Sequence, residues 1–264
     1  MCRSVALAAS LLALGACSGS TDPGRYRVVW EDEFTGAAGA LPSSANWGFD
    51  VGTDWGNAQL EYDTDRADNA SLDGQGNLAL VARRESFQGS SYTSARMTTA
   101  GKRTFREGKF EARIKLPIGQ GIWPAFWMLG TDLPTVGWPQ SGEIDIMEYR
   151  GQEPTVVLGS LHGPGYSAGN ALTRRYTLPV GRFSDDFHVF TVEWTADEIK
   201  WYVDGELYHT AEPAFVSGPW VFNKPFYLIL NVAVGGGFVG APDAGTIFPQ
   251  TMLVDWVRVY EQVR

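Results

Sequence analysis

The chain has 264 residues, enough for one large β domain or two small ones around a sizeable core. Its formal net charge of −9 argues against nucleic acid, whose phosphates an acidic surface repels, and favours a neutral substrate. Ten Trp, ten Tyr and fourteen Phe exceed what a core of this size needs. Some of the tryptophans are therefore expected in a groove, where flat rings stack on sugars or other planar apolar faces, while the rest fill the core.

In chain order, the first element is a targeting segment. Arg3 precedes a small, apolar run from Ser4 to Ala16 that is too short for the ~20 residues a membrane helix needs, so it reads as a signal h-region. It ends in Leu14-Gly15-Ala16-Cys17, which resembles the lipobox of bacterial lipoproteins; an ordinary secretory signal with an incidental cysteine is the alternative. The expectation is a signal peptide over 1–16, an acylated Cys17 with a polar tether over 17–25, and a catalytic domain over 26–264. Membrane contact would come only through that anchor, at the bacterial cell surface or outside it. The two cysteines are Cys2 and Cys17, so the domain itself needs no disulfide.

From Tyr26 onward, short apolar runs alternate with turn signals. Strands are predicted over Tyr26–Trp30, Leu78–Arg83, Thr104–Leu116, Ile122–Leu129, Glu143–Tyr149, Val156–Leu161, His188–Trp194, Glu198–Val203, Phe226–Ala233 and Met252–Glu261. Alternation is clear in Lys109-Phe110-Glu111-Ala112-Arg113-Ile114-Lys115-Leu116 and in Val254-Asp255-Trp256-Val257-Arg258-Val259-Tyr260, as in half-buried antiparallel strands. Asp73-Gly74-Gln75-Gly76-Asn77 and Val203-Asp204-Gly205-Glu206 read as hairpin turns. No window shows a helical stripe. The pattern predicts one all-β domain, a sandwich or a jelly roll. Thr35–Leu72, Leu129–Gly142 and Gly163–Phe187 read as loops walling a cleft.

The acidic run Gly142-Glu143-Ile144-Asp145-Ile146-Met147-Glu148-Tyr149 is the strongest chemical signal. On a regular strand Glu143 and Asp145 share a face and Glu148 falls on the other, where an unpaired carboxylate is costly. One extra residue, a bulge at Ile146–Met147, returns Glu148 to the same face. Two glutamates leaning toward each other there approach the ~5–5.5 Å spacing of a retaining glycosidase, with Asp145 between them tuning both. A calcium-type metal site, a solvated charged strand and a non-catalytic binding groove are the other readings of the run.

That octapeptide resembles the signature of glycoside hydrolase family 16 in the bulged, laminarinase-like form. Trp123-Pro124-Ala125-Phe126-Trp127-Met128-Leu129-Gly130 and Leu161-His162-Gly163-Pro164-Gly165-Tyr166 are similar to flanking segments of the same family. The likeness runs from Trp30-Glu31-Asp32-Glu33-Phe34 to Val254–Tyr260. It implies a β-jelly roll of two antiparallel sheets with a substrate cleft on the concave face, and endo-hydrolysis of β-1,3- or mixed β-1,3/1,4-glucan with retention. It implies Glu143 as nucleophile, Asp145 as its assistant and Glu148 as acid/base. Trp123, Trp127 and Trp138 would stack sugars, His162 would line the cleft, and Asn57 and Arg96 would bind hydroxyls. His188 and His209 read as structural.

No cofactor is implied for catalysis. A structural calcium is implied at Glu33, Gly76 and Asp255, some of them contributing main-chain carbonyls; the plain alternative is that Asp255 pairs with a neighbouring strand. Phe238-Val239 stands where relatives often carry Trp-Pro. The partner expected is a β-glucan, acted on by a monomer. The rivals are a lichenase or a galactan-active enzyme, the sulfated galactans being disfavoured by the charge, and a non-catalytic glucan-binding surface protein.

Overall fold

The computed structural model describes residues 26–263. The expected signal peptide (1–16) and lipidated tether (17–25) lie outside the described residues.

Seventeen strands make up the described chain. In order they are β1 (Tyr26–Asp32), β2 (Gly48–Phe49), β3 (Glu61–Asp63), β4 (Ala70–Leu72), β5 (Leu78–Phe87), β6 (Ser90–Ser94), β7 (Arg96–Thr98), β8 (Gly108–Lys115) and β9 (Ile122–Gly130). They continue with β10 (Glu143–Tyr149), β11 (Val156–His162), β12 (Leu172–Thr177), β13 (His188–Trp194), β14 (Ile199–Val203), β15 (Glu206–Ala211), β16 (Phe226–Val234) and β17 (Gln250–Gln262). One ten-stranded sheet runs β15-β14-β13-β8-β17-β5-β6-β3, with β1 against β17 and β4 against β5. A seven-stranded sheet runs β12-β11-β10-β9-β16-β7-β2. The pairings are antiparallel apart from β3 with β6, which is parallel. This is the expected jelly-roll sandwich.

Alternation decides the layering. Burial alternates along β8 and, with a one-residue shift between Val254 and Trp256, along β17, so Phe110, Ala112 and Ile114 face the other sheet together with Val254, Val257 and Val259. The seven-stranded sheet answers with Phe126, Met128, Ile144 and Leu228. Large rings bridge the layers: Trp194 of β13 meets Phe226 of β16 edge-on at 5.3 Å between centroids. Each such buried side chain contributes on the order of 1.5–3 kcal/mol.

The expected hairpins are present. Asp73–Asn77 joins β4 to β5, and Asp204-Gly205, with φ of 50° and 82°, turns β14 into β15. Three expected loops hold more structure than the sequence shows. Thr35–Leu72 contains β2, β3 and β4, which at two or three residues are too short for periodicity to register. Gly163–Phe187 contains β12, whose Leu-Thr-Arg-Arg-Tyr-Thr reads polar because it is an edge strand. Leu129–Gly142 contains a helical turn at Leu133–Val136. The strand predicted from Thr104 begins at Gly108, because Glu107 and Gly108 turn the chain at φ 61° and 117°.

Candidate active site

The acidic run is β10, in the middle of the seven-stranded sheet. Against β11, Asp145 pairs with Ser160 and Glu148 with Leu158; against β9, Asp145 pairs with Trp127 and Met147 with Phe126. One residue is therefore extra, and the bulge falls at Ile146–Met147 as expected. Ile146 and Met147 are both buried, while Glu143, Asp145 and Glu148 all line one cleft of about 600 Å³. Two residues without sequence signal make the bulge possible. Trp201 of β14 donates its indole N–H to the Asp145 carbonyl at 2.8 Å, supplying a partner inside the core. Gly159 of β11 leaves the room, since a Cβ there would lie 2.5 Å from Trp201 Cδ1 and from Tyr208 Oη.

Each carboxylate has its own surroundings. Glu143 Oε2 accepts the Trp138 indole N–H at 3.0 Å, and Glu148 Oε1 accepts that of Trp123 at 3.2 Å. Burial pushes all three acids above the ordinary carboxylate range. The negative charge of Asp145 pushes Glu143 further, and that of Glu148 pushes Asp145. His162, the Trp123 N–H and Arg150 pull Glu148 back toward the charged form. Three carboxyls crowded this way keep at least one proton among them, which is the state an acid/base pair needs.

His162, at the end of β11, completes the cluster. The Ala168 amide donates to its Nδ1 at 3.1 Å, so the neutral ring carries its proton on Nε2. Nε2 lies 3.1 Å from Asp145 Oδ2 and 3.7 Å from Glu143 Oε1. The ring thus presents a hydrogen, not a lone pair, to the carboxylates. Among the described residues, Glu143, Asp145 and His162 are the one group whose possible ligand atoms lie together, within 4.8 Å. With its Nδ1 lone pair turned to Ala168, the neutral His162 ring has no lone pair to offer a metal beside the two carboxylates.

Across β9, β16 and β7 the cleft becomes aromatic. Trp127 donates to Asn231 Oδ1 at 2.8 Å. The Arg96 guanidinium stands between two rings, 4.9 Å from Trp55 and 4.8 Å from Trp127, and its Nε donates to Asp50 Oδ2 at 3.0 Å. Asn57 lines the same wall, and its carbonyl accepts the Gly237 amide at 2.9 Å. Beside Glu148, Trp123 packs on Phe238 at 4.8 Å, and Arg150 covers Phe238 at 4.1 Å. Trp138 is 44 % exposed at the opposite rim. All six expected substrate contacts, Asn57, Arg96, Trp123, Trp127, Trp138 and His162, line this one cleft. Asn231, Gln59 and Ser160 also line it and were missed, because each is a single polar residue in an apolar or loop context. His188 bonds to Asp204, and the His209 ring, stacked on Trp201 at 4.5 Å, is buried; neither lines the cleft.

The calcium expectation meets a different arrangement. Both oxygens of Glu33 accept from Arg258, at 2.7 and 2.9 Å, and Asp255 Oδ2 accepts from Arg113 of the adjoining β8 at 2.5 Å. Gly76 sits in the β4–β5 turn. Two guanidiniums already supply the positive charge these side chains need, so the donors left for a calcium are main-chain carbonyls, the only oxygen Gly76 has, and Asp255 Oδ1.

A family model described as glycosyl hydrolases family 16 matches residues 51–258. The chain belongs to that family. A β-glucanase from Rhodothermus marinus is 43% identical over 253 residues, covering 90% of this chain and 86% of its own. The endo-β-1,3-glucanase structure from Pyrococcus furiosus superposes with a TM-score of 0.86 at 47% identity, covering 92% of this chain and 97% of that one. The laminarinase catalytic domain from Thermotoga maritima gives 0.85 at 47% identity, covering 90% and 99%. As a family 16 glycoside hydrolase the chain needs no catalytic cofactor.

Proposed function

We propose that this chain is a retaining endo-β-glucanase that cuts β-1,3 bonds in laminarin-type or mixed β-1,3/1,4-glucan. The observation behind this reading is the bulge in β10, which brings three carboxyl groups into one aromatic cleft where, among the described residues, no Lys or Arg is bound to them. Glu143, held by Trp138, attacks the anomeric carbon as its carboxylate. Glu148 gives its proton to the departing glycosidic oxygen, and a glucosyl ester of Glu143 remains. Esterification removes the charge of Glu143, so Glu148, now ionised, takes a proton from water as the water opens the ester. Glu143 is released as carboxylate and Glu148 regains its proton. Asp145, hydrogen-bonded to Glu143, steadies it.

Release of reducing sugar from laminarin, with the β-anomer seen first by NMR, is the expected result; binding without release, or the α-anomer first, overturns the reading. Parallel digests of barley glucan and lichenan set the linkage preference and separate it from the lichenase alternative. The Leu14–Cys17 motif supports a mature protein acylated at Cys17 and displayed at the bacterial surface. Mass spectrometry of the mature N-terminus tests this, and an unmodified terminus rejects it.

A further inference from the structure

Behind the Trp55 wall lie two acids that the hydrolytic steps do not use. Glu61 and Asp63 are two apart on β3, so they share a face, and each is 1 % exposed. Glu61 Oε2 accepts the Val234 amide of β16 at 2.7 Å. Asp63 Oδ2 accepts the Trp55 indole N–H at 2.8 Å. Their other oxygens, Glu61 Oε1 and Asp63 Oδ1, are buried without a hydrogen-bond partner among the described residues.

The chain between Gly52 and Asp63 is a closed loop. Gly52 and Asp63 exchange both main-chain hydrogen bonds, at 3.0 and 2.7 Å, and the Leu60 amide bonds to the Val234 carbonyl at 2.8 Å. The loop tip delivers Trp55, Gly56 and Asn57 to the cleft. A continuous relay therefore runs from Asp63 to Trp55, from Trp55 to Arg96, and from Arg96 to Trp127.

We infer that Glu61 and Asp63 are positioning residues for this half of the cleft: Asp63 orients Trp55 and through it Arg96, and Glu61 ties the loop to β16. The inference rests on the glucanase reading of the cleft. An ionised carboxylate at such depth is costly, so both acids hold a proton more tightly than an ordinary carboxyl does. Burial first, then the charge of Asp63, pushes Glu61 up to about 8. Burial pushes Asp63 up to about 7 against the pull of the Trp55 N–H and Arg96. The charged groups acting on the pair are Asp50, after β2, and Arg96, on β7. β16 offers the Val234 amide and carries one titratable residue, Tyr227, and Tyr92 is the one titratable residue of β6. Above about pH 8 both acids ionise and repel each other, and the loop loosens from β16.

The test uses Asp63→Ala, Asp63→Asn and the double variant Glu61→Gln/Asp63→Asn. KM and kcat are read on laminarin, and the Kd of a β-1,3-linked glucohexaose is read in a Glu143→Gln background. Asp63→Ala is expected to raise KM and Kd about tenfold with kcat unchanged. Asp63→Asn, which still accepts the indole N–H, restores both. The wild-type KM rises above pH 8, and that of the double variant stays flat. A fall in kcat instead of a rise in KM, no rescue by asparagine, or an equal pH rise in the double variant overturns the inference. Should Asp63→Ala not fold, Trp55→Phe removes the donor alone, and an unchanged KM and Kd then overturns it. Absence of turnover by the wild type would sink the glucanase reading, while the Kd comparison still judges the positioning role.

Discussion

On the outer face of the ten-stranded sheet, Asp255 sits against Arg113, Glu33 against Arg258 and Glu111 against Lys109. Across the sandwich, Glu143, Asp145 and Glu148 share a cleft where, among the described residues, no Lys or Arg lies within ion-pairing distance and the nearest basic group is the His162 ring. Both faces carry acids on central strands, and both sets are partly or wholly withdrawn from water. On one face the charge is neutralised where it stands. On the other it is left for a substrate to use, and indole N–H groups hold the carboxylates without cancelling them. The contrast separates acids that stabilise from acids that react: a compensating cation fixes a carboxylate in its ionised form, whereas burial without one leaves its protonation able to change during a reaction.

The largest effect expected from breaking this contrast lies in the cleft. Glu143→Gln is expected to lower kcat on laminarin by more than about 10⁴-fold, because an amide cannot take its place in the glucosyl ester. Glu148→Gln, which removes only proton transfer, is expected to cost about 10²–10⁴-fold. On an aryl β-glucoside, whose leaving group needs no proton, azide, an anion that needs no base, should restore turnover to the Glu148 variant and not to the Glu143 variant. Near-normal activity in either variant would remove the assigned roles.

Next in size is a pH effect on stability. Glu61 goes from an ordinary 4.5 to about 8 on folding, so the folded chain keeps a proton that the unfolded chain has lost. The stability from this group is full below about pH 4.5 and falls as pH rises toward 8, by up to roughly 1.4 kcal/mol per pH unit. Thermal melts between those limits should therefore drop with pH, and Glu61→Gln should flatten the slope.

A smaller effect tests the frame that holds the reactive acids in place. Gly159→Ala puts a methyl group 2.5 Å from Trp201 Cδ1, and relief requires Trp201 to shift away from the Asp145 carbonyl. About 1–3 kcal/mol of stability is expected to be lost. The fall in kcat should exceed that of a surface glycine such as Gly89, whose added Cβ meets nothing within 4 Å. Unchanged melting and kcat would show that the bulge does not depend on this packing.

The long alternating strands and the acidic run were legible in the sequence because two-residue periodicity and unhoused charge are local signals. Even the bulge followed from counting faces, since Glu148 had no affordable place otherwise. The supports of the site were not legible. Trp201 is 53 residues beyond Glu148 and on the other sheet, and nothing in Lys200-Trp201-Tyr202 marks it as the partner of a bulge carbonyl. Gly159 reads as an ordinary interruption of β11. Glu61 and Asp63 sit in a three-residue strand inside an apparent loop, where burial depends on contacts with β6 and β16. The arginine partners of Glu33 and Asp255 were likewise hidden: Arg258 and Arg113 alternate outward on their strands as any solvated residue would.

The smallest expected effect is on that outer face, and it decides whether compensation is what distinguishes the two sets of acids. Asp255 and Arg113 are about one-third exposed, so water screens them and their pair contributes only about 0–1 kcal/mol. Asp255→Asn keeps the shape and removes one charge. Melting is expected to shift by no more than that amount, and kcat and KM on laminarin should not move. The same charge removal at Asp145, which Nε2 of His162 approaches at 3.1 Å, should instead lower kcat. Equal responses at the two positions would mean that depth in the sandwich, not the presence of a cation, sets what a carboxylate here can do.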